Sequence, residues 1–270
     1  EISSCDWSSD VCSSDLIDFA PREQRGKVLV NSSPSDIVHS ATSIVMSRDV
    51  YAVVSIVLFI ISLSVHEAAH AFVAYSCGDT TAKDQGRLTL NPLSHIDPIG
   101  TVLLPFVLSL ASGYSFGWAR PVPYNPYRLK NRRRDEFLVA VAGPISNLLQ
   151  AFLGTIVCAL VRVFIVSNAT FNTPVVVALL ILELYVYLNC ILAFFNLIPL
   201  PPLDGSKIFT VFLEGEALQR YYELQRYSMA ILFAVLFLLP RVLGINLISL
   251  YLDATAGNLY HLLLHLGMAT

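Results

Sequence analysis

The chain reads as an all-α polytopic membrane protein, a bundle of about four to six transmembrane or re-entrant helices with one short membrane-associated β element. Three observations predict this. Of its 270 residues, 55% are hydrophobic and 14% charged, and the mean hydropathy is +0.62, outside the range of ordinary soluble domains. Long uncharged runs recur along the chain, and about 20 apolar residues suffice to cross a hydrocarbon core. Arg120, Arg128, Lys130, Arg132, Arg133 and Arg134 crowd one loop, and positive loops stay cytoplasmic. That cluster is a topology signal, and no nucleic-acid partner is expected from it.

Taken in order, residues 1–16 are set aside. Asp6 to Leu16, D-W-S-S-D-V-C-S-S-D-L, reads as a translated sequencing adapter, a segment to exclude from fold reasoning. Cys5 and Cys12 go with it, and Cys77, Cys158 and Cys190 show no C-x-x-C spacing, so neither a disulfide nor a thiolate metal site is expected. A polar segment, 17–49, precedes an intramembrane core predicted at 50–252. Val50–Tyr75 is long enough to span. Cys77–Pro98 reads as interfacial, with Arg87-Leu88-Thr89-Leu90 alternating like a strand before the breaker Asn91-Pro92. Ile99–Ala111, interrupted by Pro105, reaches only about 20 Å against a core of about 30 Å, so it reads as re-entrant. Phe137–Val161 carries no charge and spans; Pro174–Ile198 returns with Glu183 as its one charge. Tyr227–Leu239 and Val242–Leu252 make another crossing, kinked near Pro240, and 253–270 reads as a C-terminal tail helix.

Between Asp49 and Asp79 the only charged or imidazole side chains are His66, Glu67 and His70, within the run H-E-A-A-H. Helical spacing of four puts both imidazoles on one face, where they can hold one metal ion with a glutamate beside it. Ionisable groups at membrane depth are expensive unless paired or metal-bound, so their presence points to chemistry. Catalytic zinc takes three protein ligands and keeps a position for water. Asp204 is the candidate third ligand. It follows the run Asn196-Leu197-Ile198-Pro199-Leu200-Pro201-Pro202-Leu203, whose prolines cannot continue a helix and leave an unwound backbone free to turn the carboxylate toward the metal. The rival reading of Asp204 is an ordinary Asp-Gly turn. If the basic loop and Asp204 are both cytoplasmic, the helix of His66 ends on that side too, and the polar chemistry converges at one depth. Asn196 reads as satisfying carbonyls freed by the prolines. His95 reads as a loop histidine, His261 and His265 as a tail pair lacking a carboxylate, Glu183 as a functional candidate, and Arg162 as a snorkelling end residue.

H-E-A-A-H in a first apolar helix, Gly143-Pro144-Ile145-Ser146-Asn147 in the next, and N-L-I-P-L-P-P-L-D-G after the third together resemble the site-2 protease family of intramembrane zinc metalloproteases. The likeness extends through Gly86 to Gly100 and Phe116 to Pro123, over most of residues 50 to 210, and is to the compact prokaryotic branch. The resemblance implies one zinc ion held by His66, His70 and Asp204, with Glu67 as the catalytic carboxylate. Asn147 reads either as a side-chain donor to the oxyanion or as a helix-packing amide, with equal weight.

The expected activity is hydrolysis of peptide bonds in transmembrane-helix substrates, near the cytoplasmic face of a bacterial plasma membrane and in contact with its lipid. An unwound substrate would add to the Arg87–Leu90 edge as an extra strand. Two other readings stay open on the residues alone: a membrane zinc protease resembling the prenyl-protein endopeptidases, and a metal transporter. A transporter would need polar groups at several depths.

Overall fold

The structure, a computed structural model, describes residues 48–107, 117–168 and 173–268. The adapter-like residues 1–16, nearly all of 17–49 and residues 108–111 of the expected re-entrant segment lie outside the described residues. Within them every regular element is a helix. Helix α1 is Arg48–Ser76, α2 the single turn Thr81–Asp84, α3 Arg132–Asn168 and α4 Thr173–Asn196. The short α5, Asp204–Thr210, leads into α6, Gly215–Gln225. Then come α7, Ser228–Phe233, α8, Leu239–Leu243, α9, Leu247–Leu252, and α10, Asn258–Met268. Among the described residues, α1, α3 and α4 are long and apolar enough to cross a membrane, and α6 with the rod that begins at α7, bent by 78°, makes a fourth such unit.

Branched residues fill α1, yet it is helical, because a spanning segment must satisfy every backbone group internally. It ends where Gly78, at φ 107°, donates its N–H to Tyr75 O. Lys130 N–H then pairs with Cys77 O, which ties the end of α1 to the start of α3. Arg133 of α3 donates to Val211 O and Glu214, bringing the end of α5 to the same place. The end of α1, the start of α3 and the end of α4 therefore share one end of the bundle, as the parity of crossings predicts.

The core lies where α3, α4 and the C-terminal segment meet: Ala151, Cys158, Leu184, Val186, Cys190, Ala256, Tyr260 and Leu263 are buried together. Residues 253–270 were expected as a tail, but the helix there is an integral part of the bundle. Its Tyr260 ring packs edge-on against Tyr187 of α4, centroids 5.3 Å apart. The irregularity expected near Pro240 falls in the turn before it. Pro240 lies inside the continuous helix Ser228–Val242, which widens to a π-turn over Ala234–Leu238 just before it, and the helix ends at Gly244, φ 67°.

The expected β element is not formed; among the described residues none is in a strand. Arg87–Leu90 runs as irregular backbone because its polar groups are claimed from elsewhere. The Arg87 guanidinium reaches Arg120 O and Pro121 O, and Thr89 O accepts from His95 Nε2. Glu183 and Arg162, read separately from sequence, are partners: they form an ion pair between α4 and α3.

Asp79 anchors the turn after α1. Fully buried, it accepts from Thr81 N–H and Oγ1 and from Asn125 N–H. Burial works to raise its pKa, but these bonds outweigh it and hold the carboxyl below its ordinary value. A depressed folded pKa contributes stability above the unfolded pKa of about 4, lost as pH falls through the folded value. Asp79→Asn is expected to destabilise the detergent-solubilised protein by about 1–3 kcal/mol at neutral pH. The gap to wild type should shrink below about pH 4, as read by thermal melts across a pH series.

Candidate metal centre and active-site cleft

His66 and His70 stand one turn apart on α1 and are both buried. Asp204, at the first position of α5, turns its carboxylate between them. Its Oδ2 lies 3.1 Å from His66 Nε2 and 3.1 Å from His70 Nε2, and the two Nε2 atoms are 3.1 Å apart. These are the three side chains among the described residues whose donor atoms cluster closely enough to hold a metal.

The proton positions follow from the outer partners. His70 Nδ1 sits 2.6 Å from Val139 O, and a carbonyl only accepts, so Nδ1 carries the proton and Nε2 presents a lone pair. For His66 the chain of reasoning is longer. Asn189 Nδ2 donates to Tyr185 O and to Ser62 Oγ, which fixes its amide and turns its Oδ1 toward Asn147 Nδ2 at 3.3 Å. Asn147 Oδ1 therefore faces His66 Nδ1, at 2.7 Å, and that nitrogen is the donor. Two imidazole lone pairs and a carboxylate oxygen then converge with no proton between them. Such a trio repels itself unless a cation is present. Its spacing also matches the edge of about 3.3 Å expected for a tetrahedron with zinc bonds of about 2.0–2.1 Å. The residues present fit zinc.

Close approach of α3 makes the cluster possible. A Cβ on Gly143 would lie 2.4 Å from both His66 Cε1 and His70 Nε2, so only glycine lets α3 pass behind the imidazoles. At Gly205 a Cβ would meet Leu197 O at 2.2 Å, so glycine is equally required where the unwound stretch folds back to present Asp204. Asn196 donates to Leu192 O of its own helix and lines the cleft.

Beside the trio lies a cavity of about 350 Å³, walled by α1, α4, α7 and the segment 117–124. Glu67 faces it, buried, with Oε2 accepting from Val122 N–H at 2.9 Å. Lys207, which the sequence did not single out, lines the same cavity with Nζ 3.5 Å from Asp204 Oδ1 and 5.7 Å from the centre of the Tyr124 ring.

The oxyanion role read for Asn147 is corrected. Its side chain is fully buried behind His66, both ends of the amide are engaged, and it does not line the cavity. It orients a histidine. The sequence also gave no sign of Asn189, whose part depends on which neighbours three helices bring to it. His95 is buried with its Nε2 on Thr89 O, and His261 and His265 stand on α10, apart from the cluster.

Helices long and apolar enough to cross a membrane, around a buried His, His, Asp donor set, define a membrane protein with a candidate metal site. The profile of Peptidase family M50 matches residues 163–239. The "Putative zinc metalloprotease YwhC" of Bacillus subtilis is 41% identical over 186 residues, 68% of this chain and 80% of the relative. Proteins of the same description named Rip2 match as well, at 30% identity over 151 residues in Mycolicibacterium smegmatis, 54% of this chain and 52% of that protein. In Mycobacterium tuberculosis the figures are 28% over 186 residues, 69% of this chain and 67% of that protein. No solved structure matches the chain. The chain belongs to peptidase family M50, the site-2 protease family. It is a membrane zinc metalloprotease, and it acts on proteins.

Asn147→Ala should weaken zinc binding by about 10- to 100-fold, the usual effect of removing a histidine's outer partner, and Gly143→Ala should abolish stoichiometric zinc. Chelator competition on the purified protein measures both.

Proposed function

We propose that this protein is an intramembrane endopeptidase of a bacterial plasma membrane. In this reading it hydrolyses transmembrane-helix substrates near the cytoplasmic face, with His66, His70 and Asp204 holding one zinc ion and Glu67 as general base. The observation that carries the reading is the convergence of the three donor atoms at 3.1 Å beside a cavity that Glu67 also faces.

Bound there, zinc would supply Lewis acidity, bringing the pKa of water toward about 7 and polarising the scissile carbonyl. The chain supplies the rest. Glu67 takes the proton of the attacking water and returns it to the leaving amine. Val122 N–H holds Oε2 of Glu67 and leaves Oε1 for that traffic. Lys207 engages Asp204 Oδ1 while Oδ2 faces the histidines. The clustering of polar groups at one depth favours hydrolysis over transport, and the Asp204 geometry favours it over a site completed by a downstream glutamate. The basic loop, and the matching ends of α1, α3 and α4, support a cytoplasmic-side site.

Substrate must enter unwound. A helix hides its peptide bonds behind its own hydrogen bonds and side chains, out of reach of a buried donor set. An extended chain needs backbone partners in place of its helical ones, and residues 117–122 offer them better than Arg87–Leu90. Trp118 N–H pairs with Gly100 O and Arg120 N–H with His95 O, so one edge of this segment is tied down. Ala119, between those two, has neither N–H nor C=O paired among the described residues, and it lines the cavity. A substrate strand pairing with Ala119 would satisfy both.

Two variant tests follow. Glu67→Gln should retain zinc and lose cleavage of a single-span substrate by at least about 1,000-fold, whereas Asp204→Ala should lose both; cleavage by zinc-loaded Glu67→Gln at the wild-type rate overturns the assignment of the base. Ala119→Pro, which removes the N–H, should raise KM for the transmembrane substrate by about 10-fold, a hydrogen bond's worth, with zinc content unchanged.

A further inference from the structure

Arg87 is the one Lys or Arg among the described residues that is buried, at 7% exposure. No helix carries it and no carboxylate forms a salt bridge with it. Burying a cation against neutral partners is expensive, so what it holds has to matter. Its Nη2 donates to two successive carbonyls more than thirty residues along the chain, Arg120 O at 2.6 Å and Pro121 O at 3.3 Å.

The second acceptor is decisive. Pro121 C=O and Val122 N–H belong to one peptide unit, which is rigid and planar and is trans here, since the one cis bond among the described residues is Pro201–Pro202. Its two polar ends point in opposite directions. Arg87 lies on the oxygen end and Glu67 Oε2 on the N–H end, 2.9 Å from Val122 N. A cation at the negative end of a peptide dipole and a carboxylate at its positive end polarise the same unit in the same sense, so the two bonds strengthen each other. Pro121 adds stiffness, having a fixed φ and no N–H of its own to compete.

We infer that Arg87 is a positioning residue for the hydrolytic reaction, fixing the orientation of Glu67 through the Pro121–Val122 peptide. The inference rests on the reading of Glu67 as general base. It explains why an arginine is buried in irregular backbone instead of facing water: its Nη2 bridges two neighbouring carbonyls, at a reach and with a planar rigidity that the shorter, flexible lysine side chain does not match.

The test uses the full-length protein in detergent and a single-span substrate. Arg87→Lys and Arg87→Ala are expected to keep full zinc and a wild-type melting temperature, with kcat down by about 10- to 100-fold, as for a catalytic group misplaced by about 1 Å, and KM within about 3-fold of wild type. Guanidinium ion added to Arg87→Ala should restore part of kcat, and should do nothing for Arg87→Lys, whose side chain fills the space. Wild-type kcat in both variants overturns the inference. So does a loss of activity in both that tracks loss of zinc or of thermal stability, which would make Arg87 a folding residue only. Glu67→Gln, assayed alongside, keeps the two readings apart: if it cleaves while loaded with zinc, the base assignment fails whatever Arg87 does.

Discussion

Three electron pairs are held against one another at 3.1 Å inside a low-dielectric bundle, and the rest of the architecture can be understood as the means of keeping them there. Each imidazole has its outer nitrogen committed, one to the Val139 carbonyl and one to Asn147, so neither ring can flip to relieve the repulsion by turning a proton inward. Asp204 is gripped as well. Its second oxygen faces Lys207, and its helix begins where Gly205 lies too close to Leu197 for any side chain. Outer partners of this kind fix the tautomer and orientation of the ligands that a metal would use.

Much of the fold was legible because lipid simplifies the problem. Where water is absent the backbone has one local solution, and length and hydropathy locate the spanning helices. His66 and His70 were legible through period alone. Asp204 was legible because the prolines before it exclude a helix and a carboxylate there demanded a purpose. The Arg87–Leu90 strand failed for a reason periodicity does not carry: strand pairing requires backbone groups free to pair, and here a guanidinium and a histidine compete for the neighbourhood.

Asn147 shows the limit most clearly. Whether its amide faces the cleft or the back of a histidine is decided by Asn189, Ser62 and Tyr185 on two other helices. Glu183 and Arg162 repeat the lesson. Each alone suggested a separate role, and only the packing of α3 against α4 shows them as one neutral pair that lowers the expense of keeping either charge inside. Residues 253–268 looked peripheral because their helix is short and interrupted. They are core because Tyr260 and Leu263 are buried together with Cys158 of α3 and with Leu184, Val186 and Cys190 of α4.

A hydrolase in lipid must admit water and a peptide bond to a centre that lipid tails would otherwise smother, and the two walls of the cleft divide that task. The helical wall, α1 with α3 and α4, is rigid and carries the donor set, with Gly143 allowing an approach no other residue would permit. The opposite wall is the irregular segment 117–124, which leans on Gly100, His95 and Arg87 for its own hydrogen bonds; among the described residues Ala119, which lines the cavity, has no backbone partner. A helix would have offered no free backbone group, and a strand in a sheet would have been paired on both edges. An irregular segment anchored at Gly100, His95 and Arg87 is free to turn Val122 N–H onto Glu67, which a residue inside a helix or a paired strand could not do.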